Sequence, residues 1–353
     1  MSQDKDSSAF AATRLTSNTF LIKEYNDIYS EHPHIYAIIF PSTSNLSNIS
    51  NTSESSSKVG HNMAGTIILI DTGCGGASND PEVRVTNVRE FIETVDVPEN
   101  GGRPLNGLDN QSGLEGGKRM GYIVVLTHCH YDHIQYTPTL VPHGHTISNL
   151  IPSNKISSHV TVLHTPGHTP DSLTIYDSTS CPPMLYVGDS LYEYEPIIFP
   201  KEGSIVDWFS SIEALIGFVR MKERELLGSG IDEKEEGKDN AVVGYEKYDV
   251  ADTSIRPRHH QQRQRKRVLL NAGHVTCLKP ALEILQAVKR FMEDVVSGRE
   301  PVRRRWVKRG EETVEYRQSR QEGTEANTTP VGASRFSLIC PERLILEALT
   351  RSG

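Results

Sequence analysis

The sequence has 353 residues, of which 36% are hydrophobic and 23% are charged, and its mean hydropathy is -0.43. These values are typical of a globular protein with many loops, and no apolar run approaches the roughly 18 residues that a membrane-spanning helix needs. The 37 basic and 45 acidic side chains give a net charge of -8. This charge argues against a polyanionic partner such as nucleic acid. We therefore expect a small-molecule substrate, with neither nucleic acid nor a membrane as a partner.

The amino-terminal residues 1–15 are polar and lack the apolar segment of a secretory signal, so we expect a cytoplasmic protein. The five cysteines are scattered along the chain and form no C-x-x-C pair. This pattern argues against a disulfide framework or a structural zinc knuckle, and we expect reduced thiols. The sequence leaves the oligomeric state open.

The first predicted elements are two strands and a helix. Short β-branched and aromatic runs predict strands at Tyr36 to Phe40 and Thr66 to Ile70, separated by a Ser- and Asn-rich insertion near 41–65. Apolar residues at helical spacing predict a helix between Glu82 and Val97. The Gly-, Asn- and Pro-rich segment 98–121 predicts a second insertion, an exposed loop.

The next elements are four strands and a long helix. Strands are predicted at 122–126, 160–163, 173–176 and 184–187, each bounded by Gly, Pro, Asp or Ser. The clearest helix is predicted over 204–227, where Ser204 and Asp207 form a capping pair and an apolar stripe should pack on a sheet.

The last third begins with segment 228–267, which changes from acidic to basic with little periodicity. We expect a solvated insertion there, and a patch for nucleic acid or an acidic partner is the alternative. A strand at 268–270 and an amphipathic helix over 280–296 follow. Further strands near Glu315 and at 336–340 precede a final helix from Pro341. We therefore expect one domain over 1–300, with 301–353 as a carboxy-terminal strand and helix extension packed on it.

The strongest chemical signal follows the strand at 122–126. The chain has 14 histidines, and three of them, His128, His130 and His133, lie within six residues with Asp132 between them. Alternate positions of an extended backbone point the same way, so His128 and His130 can bind one ion while Asp132 and His133 reach a second. A polar turn that is merely rich in histidine is disfavoured, because crowding these groups without a cation is costly.

Four other predicted strands are each followed by a potential ligand. These residues are Asp71, His168, Asp189 and His274. Each alone is more often a hydrogen-bonded turn residue. Ligands that converge from the same ends of neighbouring strands build a site in a cleft, so together they predict a metal centre.

These motifs resemble those of the metallo-β-lactamase superfamily. Residues 127–133 (THCHYDH) match its H-x-H-x-D-H signature and residues 165–169 (TPGHT) match its T-P-G-H-T turn. Asp71, Asp189 and His274 lie in the D-T-G, G-D and G-H motifs, in the family's order. The resemblance implies an α+β fold, a four-layer αβ/βα sandwich in which two mixed β-sheets are flanked by helices, with a metal cleft along one edge.

The resemblance also implies a ligand set. His128, His130 and His168 would hold one metal, Asp132, His133 and His274 the other, and Asp189 would bridge the two. Asp71 would orient a ligand histidine from behind, a support that metal sites commonly have. Nitrogen and oxygen donors suit two zinc ions (Zn2+) per chain, with iron or manganese as alternatives. Cys129 lies between two ligands, and strand alternation predicts that it packs away from the metals.

The predicted function is that of a dinuclear zinc-dependent hydrolase that opens a lactam, a lactone or a related cyclic amide or ester of a small xenobiotic or secondary metabolite. Hydroxide shared by the two ions would attack a carbonyl carbon, and Asp132 would pass a proton to the leaving group. Tyr192 follows Asp189 by three residues, as in the lactone-hydrolysing members that it resembles there. It is therefore the candidate for stabilising the oxyanion, and the alternative is that its ring fills the cleft wall.

One departure from the family pattern keeps alternatives open. The usual glycine pair after the signature is replaced by Ile134-Gln135-Tyr136, so the following turn must differ from that of glyoxalase II. A glyoxalase-type thioesterase is one alternative, and an iron-dependent oxygenase or redox protein on the same scaffold is another. The segments 169–173, 187–192 and 196–200 resemble fungal metallo-β-lactamase-like proteins, some of which are similar to lactam-opening detoxification enzymes.

Overall fold

The computed structural model describes residues 7–25, 27–41, 65–108, 119–135, 155–157, 160–228, 267–319 and 334–351. The strands in this part of the chain are β1 (Phe10–Arg14), β2 (Thr19–Glu24), β3 (His34–Pro41), β4 (Gly65–Ile70), β5 (Gly121–Val125), β6 (Lys155–Ser157), β7 (Val160–His164), β8 (Leu173–Asp177), β9 (Met184–Tyr186), β10 (Pro196–Ile198), β11 (Leu269–Asn271), β12 (Lys279–Pro280), β13 (Arg304–Lys308), β14 (Glu311–Arg317) and β15 (Ser337–Pro341). The α-helices are α1 (Val88–Thr94), α2 (Tyr131–Ile134), α3 (Ile205–Leu227), α4 (Ala281–Val296) and α5 (Glu342–Arg351). None of the helices in the described part of the chain combines the length and apolarity that a bilayer crossing needs.

Two mixed sheets form the centre of the fold. The first has the order β1-β2-β3-β4-β5, and the second has the order β12-β11-β9-β8-β7-β6. In the first sheet only β4 and β5 run parallel, and in the second only β9 and β11 do. The remaining neighbours are antiparallel, so each sheet is mixed as predicted.

Three apolar clusters show how the layers stack. Phe91 of α1 and Ile67 of β4 belong to one cluster, so α1 covers the first sheet. Ile68 of β4 and Met184 of β9 belong to a second, which lies between the two sheets. Leu185 of β9 shares the third with α3 and α4, so these helices cover the second sheet. The order helix, sheet, sheet, helix confirms the predicted α+β four-layer sandwich.

Strand β4 is buried on both of its faces, and its apolar sequence suits that position. Ile67 and Leu69 belong to the cluster on the α1 side, while Ile68 and Ile70 belong to the cluster between the sheets. Successive strand side chains point to opposite faces, so an unbroken apolar run is needed when both faces are covered.

A third sheet, with the order β10-β15-β14-β13, brings the carboxy-terminal extension into the same core. β10, which follows Asp189 in the chain, pairs in parallel with β15. Val314 of β14, Leu338 of β15 and Leu344 of α5 belong to the same apolar cluster as Trp208 and Phe291 of helices α3 and α4. Strands β14 and β15 and helix α5 therefore pack directly on the helices that cover the second sheet.

Two predictions about local structure are wrong. The helix predicted between Glu82 and Val97 is only Val88–Thr94, because the Asn87 side chain accepts hydrogen bonds from two following backbone amides and starts the helix there. The segment 98–121 is not simply an exposed loop, since Leu105 is 3% exposed and Asn106 is 1% exposed. Residues 109–118 of that insertion, 42–64 of the first and 229–266 of the third lie outside the described residues.

Candidate metal centre

The candidate ligands lie in loops that leave the same edge of the two sheets. In the first sheet, the parallel strands β4 and β5 lead to Asp71 and to the segment 128–133. In the second sheet, β7, β9 and β11 run in one direction and lead to His168, Asp189 and His274. Strand ends are rigid supports, so this edge can hold several donors in fixed positions.

The structure brings the seven predicted ligands together in two groups. One group contains His128, His130, His168 and Asp189, and the other contains Asp132, His133, Asp189 and His274. Within each group, one nitrogen or oxygen atom from each residue lies within 4.8 Å of the corresponding atoms of the others. Asp189 belongs to both groups, so its carboxylate lies between two possible metal positions.

The donor atoms of both groups fit a divalent cation. Nε2 of His128 and Nε2 of His168 lie 3.0 and 3.1 Å from Nδ1 of His130. A neutral imidazole has a single N–H donor, so three such nitrogens facing one point cannot all satisfy one another. In the second group, Nε2 of His133 and Oδ1 of Asp189 are buried without a hydrogen-bond partner, although they lie 3.3 Å apart. These donor sets support a divalent metal cofactor.

Asp71 orients one of the ligand histidines. Its Oδ2 lies 2.8 Å from Nδ1 of His133, and the same atom accepts a hydrogen bond from the Thr127 hydroxyl at 2.8 Å. Its Oδ1 accepts a hydrogen bond from the Thr127 backbone amide at 2.7 Å. Because Asp71 holds Nδ1, the His133 ring presents Nε2 to the second donor group. The structure thus places Asp71 in the supporting position that the family resemblance implies.

Two further groups orient histidines, and neither was predicted. The backbone carbonyl of Glu31 lies 2.8 Å from Nδ1 of His274. The Thr127 hydroxyl oxygen, which donates its proton to Asp71, lies 3.0 Å from Nδ1 of His128. An Nδ1–H that donates to oxygen leaves Nε2 free to bind a metal. His128 and His274 are therefore fixed in the tautomer that the two donor groups need.

The buried charges set the protonation states of the candidate ligands. Burial lowers the pKa of His128 well below its usual value, so this imidazole is neutral. Burial acts to raise the pKa of Asp189, but His133 and His274 outweigh it and keep this carboxylate ionised. Burial also acts to lower the pKa of His133, but Asp189 and Asp71 outweigh it and raise that pKa. A proton and a metal therefore compete for His133.

Two glycines allow the ligand loops to approach one another. A Cβ atom on Gly273 would lie 2.2 Å from Oδ1 of Asp189 and 2.8 Å from Cε1 of His133. A Cβ on Gly188, whose φ is +52°, would lie 2.6 Å from the Thr127 hydroxyl oxygen. The glycines of the G-D and G-H motifs are thus required because no side chain fits between these loops.

A cavity of about 840 Å³ opens over the two donor groups. Its lining includes donors from both groups, among them His130, Asp132 and His168. Its walls also include residues 23–25, 30–32 and 34 around the β2–β3 connection, the segment 195–202, and the tip between β13 and β14. A volume of this size accommodates a small molecule.

Tyr192 lies in the wall of this cavity, beside the metal ligands. Its side chain is buried, and its ring centroid lies 5.7 Å from that of His274. Burial raises the pKa of Tyr192 well above its usual value. The hydroxyl therefore keeps its proton and can act as a donor, while the ring fills the cleft wall.

Cys129 and Gln135 show where the predictions about the signature segment are incomplete. Cys129 lies outside both donor groups, as expected, but it is exposed instead of packed. At this edge of the sheet the side opposite the ligands faces solvent and not the core.

Gln135 stands where the family has its first glycine. It packs over Gly75, where an added Cβ would lie 3.4 Å from Cβ of Gln135. Tyr136 lies outside the described residues.

His34 is a cavity residue that the sequence did not single out. It lies at the start of β3, and its Nδ1 is 3.2 Å from the Tyr36 hydroxyl. Burial lowers the pKa of His34 to about 3, so the side chain is neutral. Its position two residues before Tyr36 places both side chains on one face of the strand. That alternation was the only sequence signal available.

Comparison with known proteins gives the following results. No protein-family model matches the chain. It is 27% identical over 242 residues to a protein of Aspergillus versicolor named "Putative transcription factor avaE", a match that spans 56% of this chain and 60% of that protein. The chain therefore covers less than two thirds of that relative's length.

Several solved structures are similar in shape. They include VMB-1 (TM-score 0.44, 12% identity, 82% of this chain and 99% of that one) and a metallo-β-lactamase from Pontibacter korlensis (0.41, 13%, 81% and 99%). A third is the metallo-β-lactamase family protein TTHA1429 from Thermus thermophilus (0.42, 12%, 81% and 82%). These TM-scores and sequence identities are too low to support a conclusion about fold or function by themselves. The fold is assigned from the chain's own layers and from the positions of its motifs.

Proposed function

We propose that this chain, which has the fold of the metallo-β-lactamase superfamily, is a metal-dependent hydrolase that opens a lactam, a lactone or a related cyclic amide or ester of a small molecule. One observation carries the proposal. Seven histidine and aspartate donors form two groups that share Asp189, and donors of both groups line a cavity of about 840 Å³. Inactive scaffolds have no need for two complete donor sets with buried, unpartnered atoms.

The donor chemistry suits zinc first, and two zinc ions per chain are proposed. Ions bound there would lower the pKa of water and polarise a carbonyl group. Tyr192 would donate a hydrogen bond to the carbonyl oxygen as negative charge develops on it. Asp132 lines the cavity and would pass a proton to the leaving group. Asp71, Thr127 and the Glu31 carbonyl would hold the histidine rings in place while this happens.

The name of the fungal relative suggests nucleic-acid binding, but a small-molecule substrate has better support. The net charge of this chain is -8, which disfavours a polyanion. The metal-ligating side chains instead lie together at one edge of the sheets and line a cavity, as they would in an active site. A role limited to binding nucleic acid would leave these donors without a function.

A metal count combined with a hydrolysis screen tests the proposal. We expect two zinc ions per chain and turnover of at least one lactam, lactone or ester. His130→Ala should lose metal and activity, whereas His164→Ala should keep both, because His164 is exposed and outside the two donor groups. The same screen includes glutathione and CoA thioesters. A single iron with dioxygen consumption, or no hydrolysis by zinc-replete protein, would refute the proposal.

A further inference from the structure

The carboxy-terminal extension contributes a wall of the cavity. Lys308, Arg309, Glu311 and Thr313 line it together with donors from both metal groups. These four residues belong to the hairpin formed by β13 and β14, which pair antiparallel with Lys308 opposite Glu311. The hairpin tip and the metal ligands therefore face the same cavity.

The tip is a tight two-residue turn that holds Arg309 at the cavity. Arg309 has a φ of +52° and Gly310 a φ of +83°. Positive φ at both central residues is the pattern of a type I′ turn, at which Asn or Asp normally precedes Gly because they tolerate this conformation. Arginine adopts it only at a cost. A costly conformation that places a cationic side chain at a cavity points to a binding role.

The basic side chains of this wall, Lys308 and Arg309, are exposed. No carboxylate among the described residues lies within ion-pair distance of either one. Acidic side chains of the same cavity are engaged elsewhere, apart from Glu195. Glu311 lies 3.5 Å from Arg343, Glu202 lies 3.5 Å from Lys201, and Glu31 accepts a hydrogen bond from the Tyr131 hydroxyl.

We propose that Lys308 and Arg309 bind an anionic group, a carboxylate or a phosphate, carried by the substrate at the end remote from the scissile bond. A guanidinium presents paired N–H donors that match two oxygens of either group, and the adjacent ammonium adds a second positive charge. The inference rests on the proposed function only for the identity of the bond that is broken. The anion subsite itself is testable by binding.

The test uses non-hydrolysable probes with the zinc-loaded full-length protein. Para-nitrophenoxybutyrate carries a carboxylate, para-nitrophenoxypropyl phosphonate carries a phosphonate that replaces a phosphate ester without a hydrolysable bond, and para-nitrophenoxybutanol is their neutral counterpart. Equilibrium dialysis gives the three dissociation constants. We expect one of the anions to bind about fivefold to tenfold more tightly than the alcohol, and the tighter of the two identifies the source of the charge.

Two variants separate this subsite from other anion sites. Lys308→Ala combined with Arg309→Ala should abolish the preference for the anion and leave the affinity for the alcohol unchanged. Arg290→Ala removes an exposed arginine of α4 outside the cavity and should change neither value. No preference in the wild-type protein, or a preference that survives the double substitution because the metals bind the anion, overturns the inference. Absence of ester hydrolysis with an intact preference counts against the hydrolase alone.

Discussion

Replacing Gly273 by alanine should remove Asp189 from the metal centre. The added Cβ would lie 2.2 Å from Oδ1 of Asp189, well short of the roughly 3.5 Å of an ordinary van der Waals contact. Asp189 must then move by about 1 Å, whereas metal–ligand distances hold to about 0.2 Å. Because Asp189 belongs to both donor groups, both metals should be affected. We expect metal affinity to fall by more than about 100-fold, with a loss of stability of about 1–3 kcal/mol from overpacking.

The assay is metal content by elemental analysis after dialysis against a graded chelator, with urea unfolding in parallel. Gly217→Ala is the matched control, because nothing lies within 4 Å of its added Cβ on the exposed face of α3. That variant should keep both metals and gain up to about 1 kcal/mol of helix stability. If Gly273→Ala retained both metals with wild-type affinity, the shared position assigned to Asp189 would be wrong.

Three other substitutions test separate parts of the site. Asp71→Asn should lower the metal affinity of the group that contains His133 by about 10- to 100-fold; competition with a chelator measures this, and an unchanged affinity would contradict the orienting role. Tyr192→Phe should retain both metals and lower kcat by about 100-fold on the substrate that the screen identifies; steady-state kinetics on that substrate decides, and an unchanged kcat would leave the ring as a wall only. Trp208→Phe should cost about 1–3 kcal/mol in the free energy of unfolding, because the buried indole donates a hydrogen bond to the Ser190 carbonyl at 2.8 Å; denaturant unfolding measures it, and a change below about 0.5 kcal/mol, the usual limit for a surface substitution, would show that this bond contributes little.

The donors of the candidate site were accessible from sequence because their signals are local. Residues 128–133 lie in one turn, and each of the other donors follows a recognisable strand within a few residues. The glycines of the motifs were also visible. The reason why glycine is needed there was not visible in the sequence. A Cβ on Gly273 would clash with Asp189, which lies in a loop 84 positions away in the chain, 273 minus 189. Only the fold shows that these loops touch.

The errors in the predictions came from interactions that periodicity does not encode. The spacing of Val85, Val88 and Ile92 suited a helix, but Val85 instead forms a β-bridge with Ser8 near the amino terminus. A strand partner 77 positions away, 85 minus 8, therefore overrode the local helical pattern. Cys129 obeyed strand alternation in pointing away from the metals. Strand alternation predicts which way a side chain points, but it does not predict whether that side faces the core or solvent. The expected packing was therefore wrong for Cys129, which lies at the edge of the sheet.

The cavity wall was the least predictable feature because it is assembled from segments distant in the chain. β10 follows the donor Asp189 closely, and it pairs with β15 near the carboxy terminus. That pairing, together with the packing of the extension on helices α3 and α4, holds the tip at Arg309 at the cavity. In the sequence, Lys308 and Arg309 are ordinary basic residues next to a glycine. Their proposed role depends on a parallel strand pair whose members are about 140 residues apart, so the extension is better regarded as part of the binding site than as an addition to it.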